Sequence, residues 1–283
     1  MKILSSLADV AHNYSGFLID LWGVMHGGAH AFPHALAALQ HLRAHNKKIV
    51  LLSNAPRRAA IVAHSLTPKG ISTDLYDAVL TSGEVTYQAL VNREDAWMKK
   101  IGNACYFLGE EYHFGSYHDL SLTFVDDIQT ATFVLVTGSY DQNPGLNVFI
   151  PLLKEMAARP LPMICANPDK VVIHHGEELM CPGTIADAYE KMGGDVKYFG
   201  KPDPAIFSHA MTLIGTAPHN TLMIGDGLAT DIAGAMASGM HSVWISHTGI
   251  FANQVPDVIS TATDVAHILG NAQPTYVLQR LCV

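Results

Sequence analysis

The chain has 283 residues, 49% hydrophobic and 15% charged, with a formal net charge of −8. That length exceeds a usual single domain and can bury a large core, and the composition is that of an ordinary, rather apolar globular protein. Basic residues fall in short groups such as Lys47-Lys48, Arg57-Arg58 and Lys99-Lys100, and no run approaches about 20 apolar residues, so neither nucleic acid nor a membrane is expected as a partner.

Residues 1–6 lack the apolar stretch of a signal peptide, and a cytoplasmic location is expected. Cys105, Cys165, Cys181 and Cys282 are scattered without CxxC pairing, as suits a reducing compartment. Phe17-Leu18-Ile19-Asp20 predicts a strand buried on both faces, ending on a carboxylate where open α/β sheets bind ligands. Residues 33–46 carry Leu36, Leu39 and Leu42 at helical spacing, 48–52 read as a second strand running into Ser53-Asn54, 56–66 as a helix, 77–80 as a strand and 82–100 as a further helix.

From about residue 101 the strands shorten and the connections lengthen: 104–108, 122–125, 132–136, 162–166 and 170–173 read as strands. A helix over 182–192 leads to an extended run at 197–199 and then to Gly200-Lys201-Pro202-Asp203-Pro204, where Asp203 reads as an N-cap and Pro204 as the first helical residue. Residues 221–224 form another buried strand ending on Gly225-Asp226, and 241–245 one more. The alternation predicts an α/β fold: a doubly wound, Rossmann-like parallel-sheet core from residues 1–100 and 196–283, interrupted by an inserted α/β domain over 101–195.

Four features therefore stand at strand ends or helix starts: Asp20, Ser53-Asn54, Lys201, and Asp226 with Asp231. Each has a bland reading alone, as turn residue, helix cap or solvated lysine. Together they supply what a carboxylate attacking phosphorus requires: a hydroxyl and N–H groups for the phosphoryl oxygens, a fixed cation, and carboxylates for a hard ion such as Mg²⁺.

The order Asp20-Leu-Trp-Gly-Val, Leu52-Ser53-Asn54, Gly200-Lys201-Pro202 and Gly225-Asp226-Gly-Leu-Ala-Thr-Asp231 resembles the four motifs of the haloacid dehalogenase-like (HAD) hydrolases. The insert between the second and third motifs, with Asn167-Pro168-Asp169 inside it, is similar to the α/β cap of the class IIA, NagD-like branch. The resemblance implies a phosphatase of a small phosphorylated metabolite. Asp20 would accept the phosphoryl group, Ser53 and the Asn54 N–H would grip it, and Lys201 would neutralise both. Asp20, the Trp22 carbonyl, Asp226 and Asp231 would hold Mg²⁺, with Asp231 as ligand or support. Asn167 and Asp169 would contact substrate from the cap, and caps of this branch often mediate homodimers.

Trp22 departs from the pattern. Position 22 in this family supplies a metal-binding carbonyl and, as an Asp, a general acid/base; Trp22 keeps the first and loses the second. A positioned acid/base contributes about 10²–10⁴ in rate, roughly 3–5 kcal/mol of barrier, so the loss is least for aryl, acyl or anhydride phosphates. Trp22 itself can pack, stack on substrate or contact the cap. Two rival readings follow: a phosphometabolite-binding or regulatory protein with little catalysis, and non-phosphate chemistry such as dehalogenation. Among the 16 histidines, His26, His30 and His34 recur every four residues, but Gly27, Gly28 and Pro33 break the helix that would align them. His26, six residues after Asp20, is the candidate substitute acid.

Overall fold

The computed structural model describes residues 1–138, 144–174 and 177–283. The N-terminal part gives β1 (Lys2–Ile3), β2 (Gly16–Asp20), β3 (Lys48–Ser53) and β4 (Ala78–Thr81). The middle gives β5 (Ala104–Leu108), β6 (Thr123–Val125), β7 (Phe133–Val136), β8 (Met163–Cys165), β9 (Val171–His174), β10 (Glu177–Met180) and β11 (Val196–Tyr198). The last part gives β12 (Thr221–Gly225), β13 (His241–Ile245) and β14 (Tyr276–Leu278).

These strands form a seven-stranded sheet in the order β1-β14-β13-β12-β2-β3-β4, a five-stranded sheet in the order β11-β8-β7-β5-β6, and the hairpin β9-β10. Pairing is parallel in both larger sheets and antiparallel in the hairpin. The alternation of side chains explains the apolar runs. Phe17, Ile19, Ile49, Leu51, Leu222 and Ile224 pack on one face with the helix Pro33–Ala44, while Leu18, Val50, Leu52 and Met223 pack on the other with the helix Pro204–Ile214. Both faces are covered, so these strands need no polar side.

From β2 the chain winds outward through β3 and β4, and from β12 it winds the other way through β13 and β14. The order thus reverses between β2 and β12, and the C-terminal ends of β2, β3 and β12 border the crevice where doubly wound sheets bind ligands.

The expected elements are largely present, with three differences. β11 pairs with β8, in register Val196↔Met163, so the chain returns to the seven-stranded sheet beyond Tyr198 and not at residue 196. The helix expected over 82–100 is two, Ser82–Asn92 and Ala96–Lys100. Arg93 takes left-handed backbone, φ 46°, which ends the first, and the Asp95 carboxylate accepts from Met98 N at 2.8 Å to cap the second. The strand expected at 170–173 lies outside the five-stranded sheet, paired instead with β10.

Candidate active site

Asp20 ends β2 opposite Leu52 of β3. Asp20, Lys201, Asp226 and Asp231 are 6%, 2%, 4% and 1% exposed, so four charged groups are withdrawn from water together. Such burial is tolerated only where the charges partner one another or an ion. The Lys201 ammonium contacts Asp20 Oδ1 and lies 2.7 Å from Asp231 Oδ1.

The two later aspartates are held by backbone. Asp226 Oδ2 accepts from Ile250 N at 2.8 Å, and a Cβ at Gly249 would lie 1.8 Å from that oxygen, so the approach requires glycine. Asp231 sits in a widened turn over Leu228–Ile232, of the π type common near functional sites. Its side chain folds back so that Oδ2 accepts from Gly227 N at 3.0 Å. Asp20, Asp226 and Asp231 each offer a carboxylate oxygen within 4.8 Å of the others'.

Burial drives the Asp20 carboxyl well above the usual range; Lys201 opposes that shift, and Asp231 and Asp226 reinforce it. Burial, then Asp231, pushes Asp226 up to about 7. Burial would lower Lys201, but Asp20, Asp231 and Asp169 together outweigh it and hold the ammonium charged. The three aspartates with one lysine carry a formal charge of −2 when ionised, the deficit that a divalent cation would neutralise. The oxygen donor set fits Mg²⁺.

Asn54 joins the second motif to the third and to the inserted segment. Its Oδ1 accepts from Lys201 N at 2.8 Å, and its Nδ2 donates to Asp169 Oδ1 at 2.8 Å and to Lys201 O at 3.1 Å. Asn167 Oδ1 in turn accepts from Asp169 N at 3.0 Å. Ser53, whose Oγ accepts from Ala55 N at 3.1 Å, borders the same cavity as Asp20, Trp22, Asn54, Asp169 and Lys201, a space of about 50 Å³. Asn167 is the one expected substrate contact outside that lining; it is buried behind Asp169 and orients it.

A neighbouring cleft of about 660 Å³ shares Asp169, Val171, Gly227, Thr230 and Ile250 with the small cavity. Trp22 turns to the hairpin: Nε1 donates to Ile173 O at 2.8 Å, and the ring lies 5.4 Å from His174. The His26 ring meets Trp22 edge-on at 5.3 Å, and burial lowers it to about 4. His26 is therefore neutral near pH 7 and is not the stored proton that its position after Asp20 suggested.

The sequence pattern did not reveal the side-chain role of Asn54, the anchoring of Asp226 by Ile250 N, or the Trp22–Ile173 bond. The Asn54 role had a signal, an amide beside a strand-end serine. The other two run through backbone groups, which any residue type supplies.

A family model described as haloacid dehalogenase-like hydrolase matches residues 88–239, another of the same description matches 17–118, and a HAD-hydrolase-like model matches 198–282. The 5'-nucleotidase YutF of Bacillus subtilis is 27% identical over 242 residues, covering 84% of this chain and 88% of its own. A haloacid dehalogenase-like hydrolase from Brucella suis superposes with a TM-score of 0.84 at 30% identity, covering 99% of this chain and 100% of its own. NagD from E. coli shares the fold, with a TM-score of 0.66 at 22% identity over 99% and 98% of the two chains.

Proposed function

The chain belongs to the haloacid dehalogenase-like hydrolases, and on that premise we propose that it is a Mg²⁺-dependent phosphatase of a small phosphorylated metabolite that works through an aspartyl-phosphate on Asp20. The observation that carries this reading is the buried cluster of Asp20, Lys201, Asp226 and Asp231 at the switch point of the seven-stranded sheet. Phosphatase-like relatives, including the 5'-nucleotidase, support it. In this reading the seven-stranded sheet is the catalytic core and the five-stranded sheet with its hairpin is the cap.

Asp20 attacks phosphorus, the bond to the leaving oxygen breaks, and water then attacks the aspartyl-phosphate to release phosphate and restore the carboxylate. Lys201 offsets the repulsion between Asp20 and the incoming anion and opposes the burial that raises the Asp20 carboxyl. Ser53 and the Asn54 N–H hold phosphoryl oxygens, and Asn54 fixes the backbone of Lys201. Asp20, Asp226, the Trp22 carbonyl and Asp231, as ligand or support, would hold Mg²⁺, which when bound neutralises charge on the phosphoryl oxygens.

Hydrolysis of p-nitrophenyl phosphate, whose leaving group needs little protonation, tests the reading. Turnover abolished by EDTA and by Asp20→Asn is expected. Metal-independent turnover, or turnover that survives Asp20→Asn, overturns it.

A further inference from the structure

With Trp22 at the position of the family's acid/base, the leaving oxygen must find its proton elsewhere. Trp22 offers none, since its Nε1–H is already given to Ile173 O. His26 packs against Trp22 and borders neither the small cavity nor the cleft. Lys201 is engaged by Asp20 and Asp231.

The phosphoryl group belongs beside Asp20 in the small cavity, which among the described residues shares lining with two larger spaces. One is a pocket of about 200 Å³ reached past Trp22 and Ile250, which has no titratable lining. The other is the cleft of about 660 Å³, which has the room for what the phosphoryl group is attached to. The scissile oxygen therefore lies where the small cavity meets that cleft. Of the described residues that line both, Asp169 alone has a carboxyl; Thr230 offers a hydroxyl, which is too weak a base near neutral pH. Asp169 is also aimed. Asn54 Nδ2 holds its Oδ1 at 2.8 Å, Asn167 Oδ1 holds its N–H at 3.0 Å, and among the described residues its second oxygen has no hydrogen-bond partner.

Resting on the phosphatase reading above, we propose that Asp169 is the general acid/base of the reaction, protonating the leaving oxygen and deprotonating the attacking water in place of the missing carboxyl at position 22. In the first half, the Asp20–phosphorus bond forms, the phosphorus–leaving-oxygen bond breaks, and the Asp169 proton goes to that oxygen, releasing an alcohol. In the second, the Asp169 carboxylate takes a proton from water as its oxygen attacks phosphorus. The Asp20–phosphorus bond breaks and Asp169 is again protonated. Burial favours the protonated acid, and Lys201 opposes it. The other ionisable groups around it are Asp20, Asp226, Asp231 and the Cys165 and Cys181 thiols. The site is thereby suited to phosphate esters of ordinary alcohols as well as activated ones.

Asp169→Asn keeps the oxygen that Asn54 grips and removes the proton carrier. The expected result is a fall of about 10²–10⁴-fold in kcat/KM for glycerol phosphate, a much smaller fall for p-nitrophenyl phosphate, and with the latter a burst of nitrophenol as phosphoenzyme accumulates. Equal losses on both esters without a burst, the signature of a merely structural role, overturn the proposal. A second measurement uses the unaltered protein: kcat/KM across esters of alcohols and phenols varies little with leaving-group pKa if Asp169 protonates the leaving oxygen, and a steep fall toward alcohols overturns it. Absence of p-nitrophenyl phosphate turnover by the unaltered protein defeats the phosphatase reading and this proposal together, whereas turnover with a steep leaving-group dependence defeats this proposal alone.

Discussion

Lys201→Met keeps the length of the side chain and removes its charge. In the folded protein it leaves Asp20 and Asp231 buried without the ammonium that contacts both. Removing one member of a buried ion pair costs about 3–5 kcal/mol, and the fully buried lysine places this case within that range. Proton uptake relieves part of the cost, because burial already raises Asp20 and Asp226 and loss of Lys201 raises them further. The native variant then binds more protons than its unfolded chain, so its deficit grows as pH rises and shrinks toward about pH 4. Urea unfolding in EDTA at about pH 8 and about pH 5 measures the deficit, with about 3–5 kcal/mol expected at the higher pH and at least ~1.4 kcal/mol less at the lower, one pKa unit of relief. A deficit below about 1 kcal/mol at the higher pH, or one equal at both, refutes the assignment of Lys201 as the partner of ionised carboxylates.

Trp22→Phe removes the indole donor to Ile173 O, worth about 1 kcal/mol, and hydrogen exchange in β9 should quicken about fivefold; unchanged exchange means the bond does not secure the hairpin. Gly249→Ala sets a methyl 1.8 Å from Asp226 Oδ2, and calorimetric Mg²⁺ affinity should fall at least ~10-fold, whereas wild-type affinity places the ion away from Asp226. His113 is 4% exposed and burial lowers it to about 4. Its unfolded form binds a proton first as pH falls below about 6.5, so it costs stability on the acid side, about 2 kcal/mol between pH 7 and 5. His113→Phe should remove that much acid sensitivity in urea titrations, and an unaltered pH slope contradicts the neutral buried ring.

The convergence of Asp20, Lys201, Asp226 and Asp231 was legible because each is attached to a strong local signal. Asp20 and Asp226 end or follow apolar strands whose two faces are both covered, Lys201 precedes an Asp203-Pro204 helix start that the structure caps as expected, and Asp231 follows Asp226 by one wide turn. The hairpin was less legible, because β10 (Glu-Glu-Leu-Met) has two exposed glutamates and little apolar alternation. The return of the chain to the seven-stranded sheet was misplaced by one short strand, since Val196–Tyr198 is partly buried and pairs only through backbone with β8. Trp22 could be marked as anomalous from its position, but its partner is a carbonyl 151 residues away, and a carbonyl carries no residue identity. The same holds for Ile250 N, which anchors Asp226.

The proposed mechanism requires that Asp20 become phosphorylated during turnover. Acid quenching of the protein in steady-state turnover of p-nitrophenyl phosphate with Mg²⁺, followed by borohydride reduction and peptide mass spectrometry, reads this directly. Modification at Asp20 alone, lost in EDTA and in Asp20→Asn, is expected. Turnover without modification at Asp20, or with the phosphoryl group on another residue, contradicts it.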